Sequence, residues 1–185
     1  MSVVSPIALI RAAVFAQLAD PTLGLNAALA ISCAAYGVPV VAFDFVPNGR
    51  AGRNVYQSFI EYGDTEASGI ARVNLLCVYG AGATPFAAGG AQKMFNARWS
   101  GNVRINVDQY LGVPGDTVQD FEPWADAGED AMIACINNLA AQQNFAGGGK
   151  LYGLEIASTR GKVVLDGENW VVPTRFGLKF EAYIA

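Results

Sequence analysis

The sequence predicts an α+β domain, a mostly antiparallel sheet packed by an N-terminal helix and by a second helix near residues 126–144. Three observations carry that expectation. Apolar residues near the start of the chain recur at spacings of three and four, which is the period of a helix buried on one side. Around residue 100 the pattern changes to strict alternation, the period of a strand. The last third then alternates through three runs joined by turn residues, so its connections are of the antiparallel kind.

In chain order, SPIALIRAAVFAQLAD places Ser5 at a candidate N-cap, Pro6 at the first helical position, and Ile7, Ile10, Val14 and Leu18 on one face. Asp20-Pro21 ends the helix. TLGLNAALAISCAAYG has room for a short further helix, and PVVAFDFV then reads as a strand. Further strands are expected in NVYQSFIEY, residues 54–62, and in ARVNLLCVYG, residues 71–80. The latter is apolar on both faces and so central. AGATPFAAGGAQ, residues 81–92, carries no charge and no period, and its composition is that of a flexible loop.

FNARWSGNVRINVDQYL, residues 95–111, is the most informative stretch. Trp99, Val103, Ile105, Val107 and Leu111 share one face with Gly101 and Gln109. Arg98, Ser100, Asn102, Arg104, Asn106 and Asp108 form the other. A helix over DAMIACINNLAAQQN follows, with Met132, Ile133, Ile136, Leu139 and Ala140 on its buried side. Asp126, Glu129 and Asp130 fall at or before its expected start, where carboxylates suit the free amides. LYGLEIASTR, KVVL and WVVPTRFGLKFEAYIA complete the sheet, with Asp166-Gly167 as a tight turn between the last two. No repeat and no linker divides residues 1–185, so a single domain is expected.

Composition narrows the function. The chain is 52% hydrophobic and only 15% charged, and such a shortage of charge favours a permanent interface with a partner over a solitary Ala- and Gly-rich monomer. A net charge of −4 argues against binding duplex DNA through phosphate neutralisation, and Arg50 and Arg53 are the one close basic pair in a Gly-rich loop. Cys33, Cys77 and Cys135 sit in apolar contexts without CxxC spacing, as buried thiols of a reducing compartment do. Arg11 follows the first apolar run instead of preceding it, so neither a secretory leader nor, in the alanine-rich stretch 21–43, a membrane span is expected.

The chain contains no histidine, which excludes Ser-His-Asp and Cys-His catalysis and every His-ligated metal site. No catalytic, cofactor-binding or metal-ligating residue is therefore assigned. Asp116, Asp120, Glu122 and Asp126 crowd one short stretch but lack calcium-loop spacing, and a solvated acidic loop is the expectation. GGGK at 147–150 fails the phosphate-loop pattern at Leu151. Trp99 and Trp170 open apolar strands, and core packing is expected there ahead of ligand stacking.

Taken in order, the elements resemble the tail terminator proteins of long-tailed bacteriophages. The residues that carry this are the helix IALIRAAVFAQLA, the Trp-led strand RWSGNVRINVDQYL, the helix DAMIACINNLAA behind its acidic stretch, and the closing hairpin NWVVPTRFGLKFEAYIA. The resemblance implies a non-enzymatic virion protein without a cofactor. Its partners would be its own copies in a ring, commonly a hexamer, together with the tail tube protein and the head connector or completion protein. It would be assembled in the host cytoplasm and located at the head-tail interface. In such a ring Arg98, Asn102, Arg104 and Asn106 are candidates for a hydrated lining close to DNA, and Phe86 for a subunit contact. Bulk solvent or a covering loop would suit the same polar face. Three other readings stay open: another neck protein such as a head completion or connector subunit, a monomeric small-molecule binding domain, and a carboxylate-dependent metal enzyme.

Overall fold

The computed structural model describes residues 5–45, 55–57, 73–86, 99–114, 120–142, 144–145 and 149–184. Helix α1 spans Pro6–Leu18 and α2 spans Leu25–Tyr36; strands β1 (Val55–Tyr56), β2 (Leu75–Pro85) and β3 (Trp99–Pro114) follow. Helix α3 (Glu122–Gln142) precedes β4 (Asn144–Phe145), β5 (Gly149–Arg160), β6 (Val164–Asp166) and β7 (Asn169–Ile184). The strands form one mixed sheet in the order β1-β2-β3-β7-β5-β4, with β6 beside β7. Among the described strands only β1 against β2 is parallel, so the α+β class with a mostly antiparallel sheet is the observed one.

The alternation in β3 and β7 decides which face of the sheet is covered. Their register runs without a shift from Trp99 opposite Ile184 to Pro114 opposite Asn169. Val103, Ile105, Val107 and Leu111 on β3, and Phe176, Leu178 and Phe180 on β7, all lie buried on the helix side. Each of the large ones contributes about 1.5–3 kcal/mol by leaving water. They join Ile10, Val14 and Leu18 of α1, Leu25, Leu29 and Cys33 of α2, and Met132, Cys135 and Ile136 of α3 in a single core.

Small residues let the helices approach. A Cβ on Gly80 would lie 2.2 Å from Ile7 Cγ2, so α1 rests directly on β2 there. A Cβ on Gly128 would lie 2.6 Å from both Gln109 Nε2 and Leu111 Cδ1, which sets the distance between α3 and β3. Helix α2 ends at Gly37, whose φ of 68° allows Val38 N–H to donate back to Cys33 C=O at 2.9 Å. Asp166 pairs with Asn169 across the β6–β7 turn, so Gly167, φ 63°, takes the first central position, the place of glycine in a type II′ turn, and Asp166 stays in the strand.

Four expectations need correction. Residues 38–45 form no strand: Val41 and Phe43 are buried alternately, but Phe43 N–H donates to Asn26 Oδ1 and Asn26 Nδ2 donates to Phe43 C=O, each at 2.8 Å. One side chain on α2 thus satisfies a backbone that a neighbouring strand would otherwise pair. Residues 81–85, expected in the loop 81–92, continue β2, because β3 supplies partners as far as Pro85; residues 87–92 lie outside the described residues. Helix α3 begins at Glu122, so Asp126, Glu129 and Asp130 are inside the helix and do not precede it. Ile133, expected on the buried side of α3, is 38% exposed; Ser5, by contrast, is the N-cap of α1 as expected, although its side chain makes no capping bond. Of the strand expected at 54–62, Val55–Tyr56 is seen and the remainder falls outside the described residues, as do Arg50 and Arg53.

Ile105 is fully buried and Arg104, its neighbour, is exposed. Ile105→Asp is expected to cost about 3–5 kcal/mol through an unpaired buried charge, and Arg104→Ala to stay within about 0.5 kcal/mol. Urea denaturation of both variants checks this, and the reverse order of losses would invert the assignment of the two faces.

Candidate functional site

No described helix lies on the face of the sheet away from the core, and the polar residues of β3 stand on it. Register places Asn102 between Thr84 and Glu181, Arg104 between Gly82 and Lys179, Asn106 between Tyr79 and Gly177, and Asp108 between Cys77 and Arg175. On the far side of β7, Glu155 stands opposite Lys179, Ala157 opposite Gly177 and Thr159 opposite Arg175. The expected alternation therefore brings Asn102, Arg104 and Asn106 together on one surface. Arg98 lies outside the described residues.

Two members of that polar face are buried. Ser100 and Asp108 are each only 3% accessible. Asp108 can be buried as a carboxylate because Arg175 grips it through two bonds, Nε to Oδ1 at 2.7 Å and Nη2 to Oδ2 at 2.9 Å. The Tyr79 hydroxyl donates to Asp108 Oδ2 at 3.1 Å and accepts from Asn106 Nδ2 at 3.4 Å. The Asp108 carboxylate holds the Arg175 guanidinium above its ordinary pKa. Desolvation, and then the charge of Asp108, pushes the Tyr110 phenol up to about 12.

Farther along the face Lys179 Nζ pairs with Glu155 Oε1 at 2.7 Å. That pair matters for Arg104, which stands directly opposite Lys179 and has no ion pair of its own among the described residues. Over this part of the face Arg104, Arg175 and Lys179 are matched in number by Asp108, Glu155 and Glu181. This part of the surface is polar and close to neutral, and two of its three cations are paired with carboxylates. Gly177 and Ala157 leave a depression of ≈ 340 Å³ bordered by Arg104, Asn106, Glu155 and Lys179. A second hollow of ≈ 230 Å³ lies beside Asp108, Tyr110, Thr159 and Arg175.

Phe86 is half-buried at the other end of the face. Its N–H donates to Ser100 C=O at 3.0 Å, and its ring meets Tyr183 at 6.0 Å, with Tyr152 at 4.7 Å on from Tyr183. The side chain expected at a subunit contact is thus packed on aromatic groups of its own chain, at the rim of the polar surface.

The acidic stretch is organised by a residue that the sequence reading did not single out. Arg160, at the end of β5, is bound by Glu122, Asp126 and Glu129 of α3, with Nε at 3.0 Å from Glu129 Oε1. These acids tie α3 to the sheet, and Glu129 and Asp126 hold the guanidinium above its ordinary pKa. Asp120 accepts from Glu122 N–H at 3.2 Å, and Asp116 is outside the described residues. Among the described residues no group of His, Cys, Asp and Glu has the arrangement of a metal site. Cys33, Cys77 and Cys135 are free and buried. Arg175 and Lys179 were readable in principle, since FGLKFEAYI alternates as strictly as β3 does and puts them with Glu181 on the polar side. No family model matches this chain, and no curated protein matches it.

Two measurements check the pairing. Arg175→Ala leaves the Asp108 carboxylate with Tyr79 alone and is expected to cost about 2 kcal/mol, less than for a fully buried pair because water reaches the half-exposed Arg175. A loss below about 0.5 kcal/mol on chemical denaturation would mean that solvent replaces the guanidinium freely. For Tyr110 the folded pKa lies above the ordinary value of 10.0. The folded state therefore keeps the proton longer than the unfolded chain does, and stability falls as pH rises from 10 toward about 12. Tyr110→Phe should flatten that slope in melts taken across the window, and an unchanged slope would assign it to other groups.

Proposed function

We propose that the chain is a structural, non-enzymatic subunit of a bacteriophage neck: a tail terminator that closes the tail tube as a ring and joins it to the head connector. The observation that supports this reading best is the two-sided sheet. Three helices cover one face, and the other is a broad, charge-paired polar surface built on β3. The element order, with a leading helix, a Trp-led strand, an acid-bearing helix and a closing hairpin, is the order on which the resemblance rests.

A surface of this kind suits the wall of an aqueous channel. Arg175 and Lys179 are already held by carboxylates, so few positive groups are left to displace counterions from DNA, and passage is wet and weakly retarded. Partners in this reading are further copies of the chain, the tail tube protein and the head connector or completion protein, in the virion. No described helix is long and apolar enough to cross a membrane. Small-molecule binding finds less support. The two hollows, ≈ 230 and ≈ 340 Å³, lie at or below the small end of ligand sites, roughly 300–1,000 Å³, and both sit on the open sheet face. Of the crowded acids that a metal enzyme would use, Glu122 and Asp126 are engaged by Arg160.

Light scattering and negative-stain microscopy of the purified protein are expected to show rings, or a sharp rise in mass when tail tubes are added. A species that stays monomeric at high concentration and ignores tubes would sink the reading.

A further inference from the structure

Among the described residues the sheet has an uncovered edge at each side. Strand β1 covers β2 at Leu76 and Cys77 only, and β4 covers β5 at Gly149 and Lys150 only. From Gly80 to Pro85 on β2, and from Gly153 to Arg160 on β5, the outer backbone has no strand partner among the described residues. Ala83, Thr84 and Pro85 on one edge, and Ala157, Ser158 and Thr159 on the other, are exposed. Such edges are templates for another strand.

Strand direction says which strand fits. Each neighbour in the row β2, β3, β7, β5 is antiparallel to the last, so β2 and β5 run in opposite senses. Identical copies laid side by side in the same orientation therefore bring β5 of one against β2 of the next as an antiparallel pair, and the alternation continues unbroken. The join also keeps every set of helices on one side and every polar face on the other. Strand β2 carries no charge, so nothing on it opposes Glu155. Because two different edges meet, the contact repeats head to tail, as a ring requires, and closes when the rotation per copy divides a full turn.

We propose that a second copy of this chain docks its β2 edge on the β5 edge of the first. The proposal rests on the ring-forming reading above and gives that ring its joint. Phe86 N–H donates to β3, so alternation turns Ala83 N–H outward. Gly161 N–H donates to Pro173 C=O on β7 at 2.8 Å, so Ser158 N–H is outward as well. Proline at either position removes an outward donor and leaves the bonds inside the sheet.

Ala83→Pro and Ser158→Pro are each expected to reduce the ring to monomers by analytical ultracentrifugation. Mixed one to one, they should form dimers and nothing larger, since each retains the edge that the other lacks. Rings that persist in both variants would overturn the edge contact while leaving a ring-forming protein. Dimers of Ala83→Pro alone would overturn it in favour of two-fold β5 pairing. A strictly monomeric wild type would remove the ring and its joint together. If circular dichroism shows either proline variant unfolded, hydrogen exchange of the wild-type ring decides. The outward amides of Ala83 and Ser158 should then exchange more slowly in rings than in diluted monomers, and equal exchange in intact rings overturns the proposal.

Discussion

The pairing of β3 with β7 is the constraint from which the other elements take their positions. Both strands are 16 residues long and meet in register over their full length. Because side chains alternate with period two, a slip of one residue would carry Ile105, Val107, Phe176 and Phe180 to the open face and Arg104, Asp108, Arg175 and Lys179 into the core. The apolar side fixes the register through burial. The Asp108–Arg175 pair fixes it again from the polar side, since its two bonds form only when those residues face each other. Strands β2, β5 and β6 are then placed by pairing to this central ribbon, and the helices by the apolar surface that it presents.

How much of this could be read from the sequence follows from how local each cause is. Helix α1, the two faces of β3 and the closing strands were legible because their signal is a period carried by the residues themselves. Three features depended on distant partners and were not. The backbone at Phe43 is satisfied by Asn26, 17 positions away. The Gly- and Ala-rich end of β2 has no period, and it is strand because β3 lies beside it. The acids of α3 read as helix-start residues because nothing local reveals Arg160, 34 positions beyond Asp126. The candidate site was half legible for the same reason: β3 announced its polar residues, whereas their pairing partners on β7, β5 and β2 required the register.

Sparse charge acquires a physical meaning once the charges are located. With 15% of residues charged, most described ion pairs tie one strand or helix to another: Asp108 to Arg175 across β3 and β7, Glu155 to Lys179 across β5 and β7, and the α3 acids to Arg160. Helix α2, by contrast, has no charged residue at all, and Ile31 on it is 75% exposed. Single apolar residues at a surface are ordinary and do not mark a site by themselves. The charges of these described pairs register the sheet and clamp α3 to it, and so do not act as free charges on the surface.

That distribution bears directly on what the open face can do. A surface that grips nucleic acid needs guanidinium and ammonium groups whose best available partners are phosphates, and affinity then falls steeply as salt rises. Here the strongest cations meet their carboxylates within the chain, at 2.7 Å for both Arg175 and Lys179. For either to bind a phosphate it must first release a carboxylate, and in the case of Asp108 that carboxylate is buried. Of Arg104, Arg175 and Lys179, Arg104 alone avoids this exchange, and Lys179 beside it already has Glu155 to answer its charge. The face is consequently wetted without being adhesive, a combination produced by cross-strand pairing and independent of any one side chain's identity as a ligand.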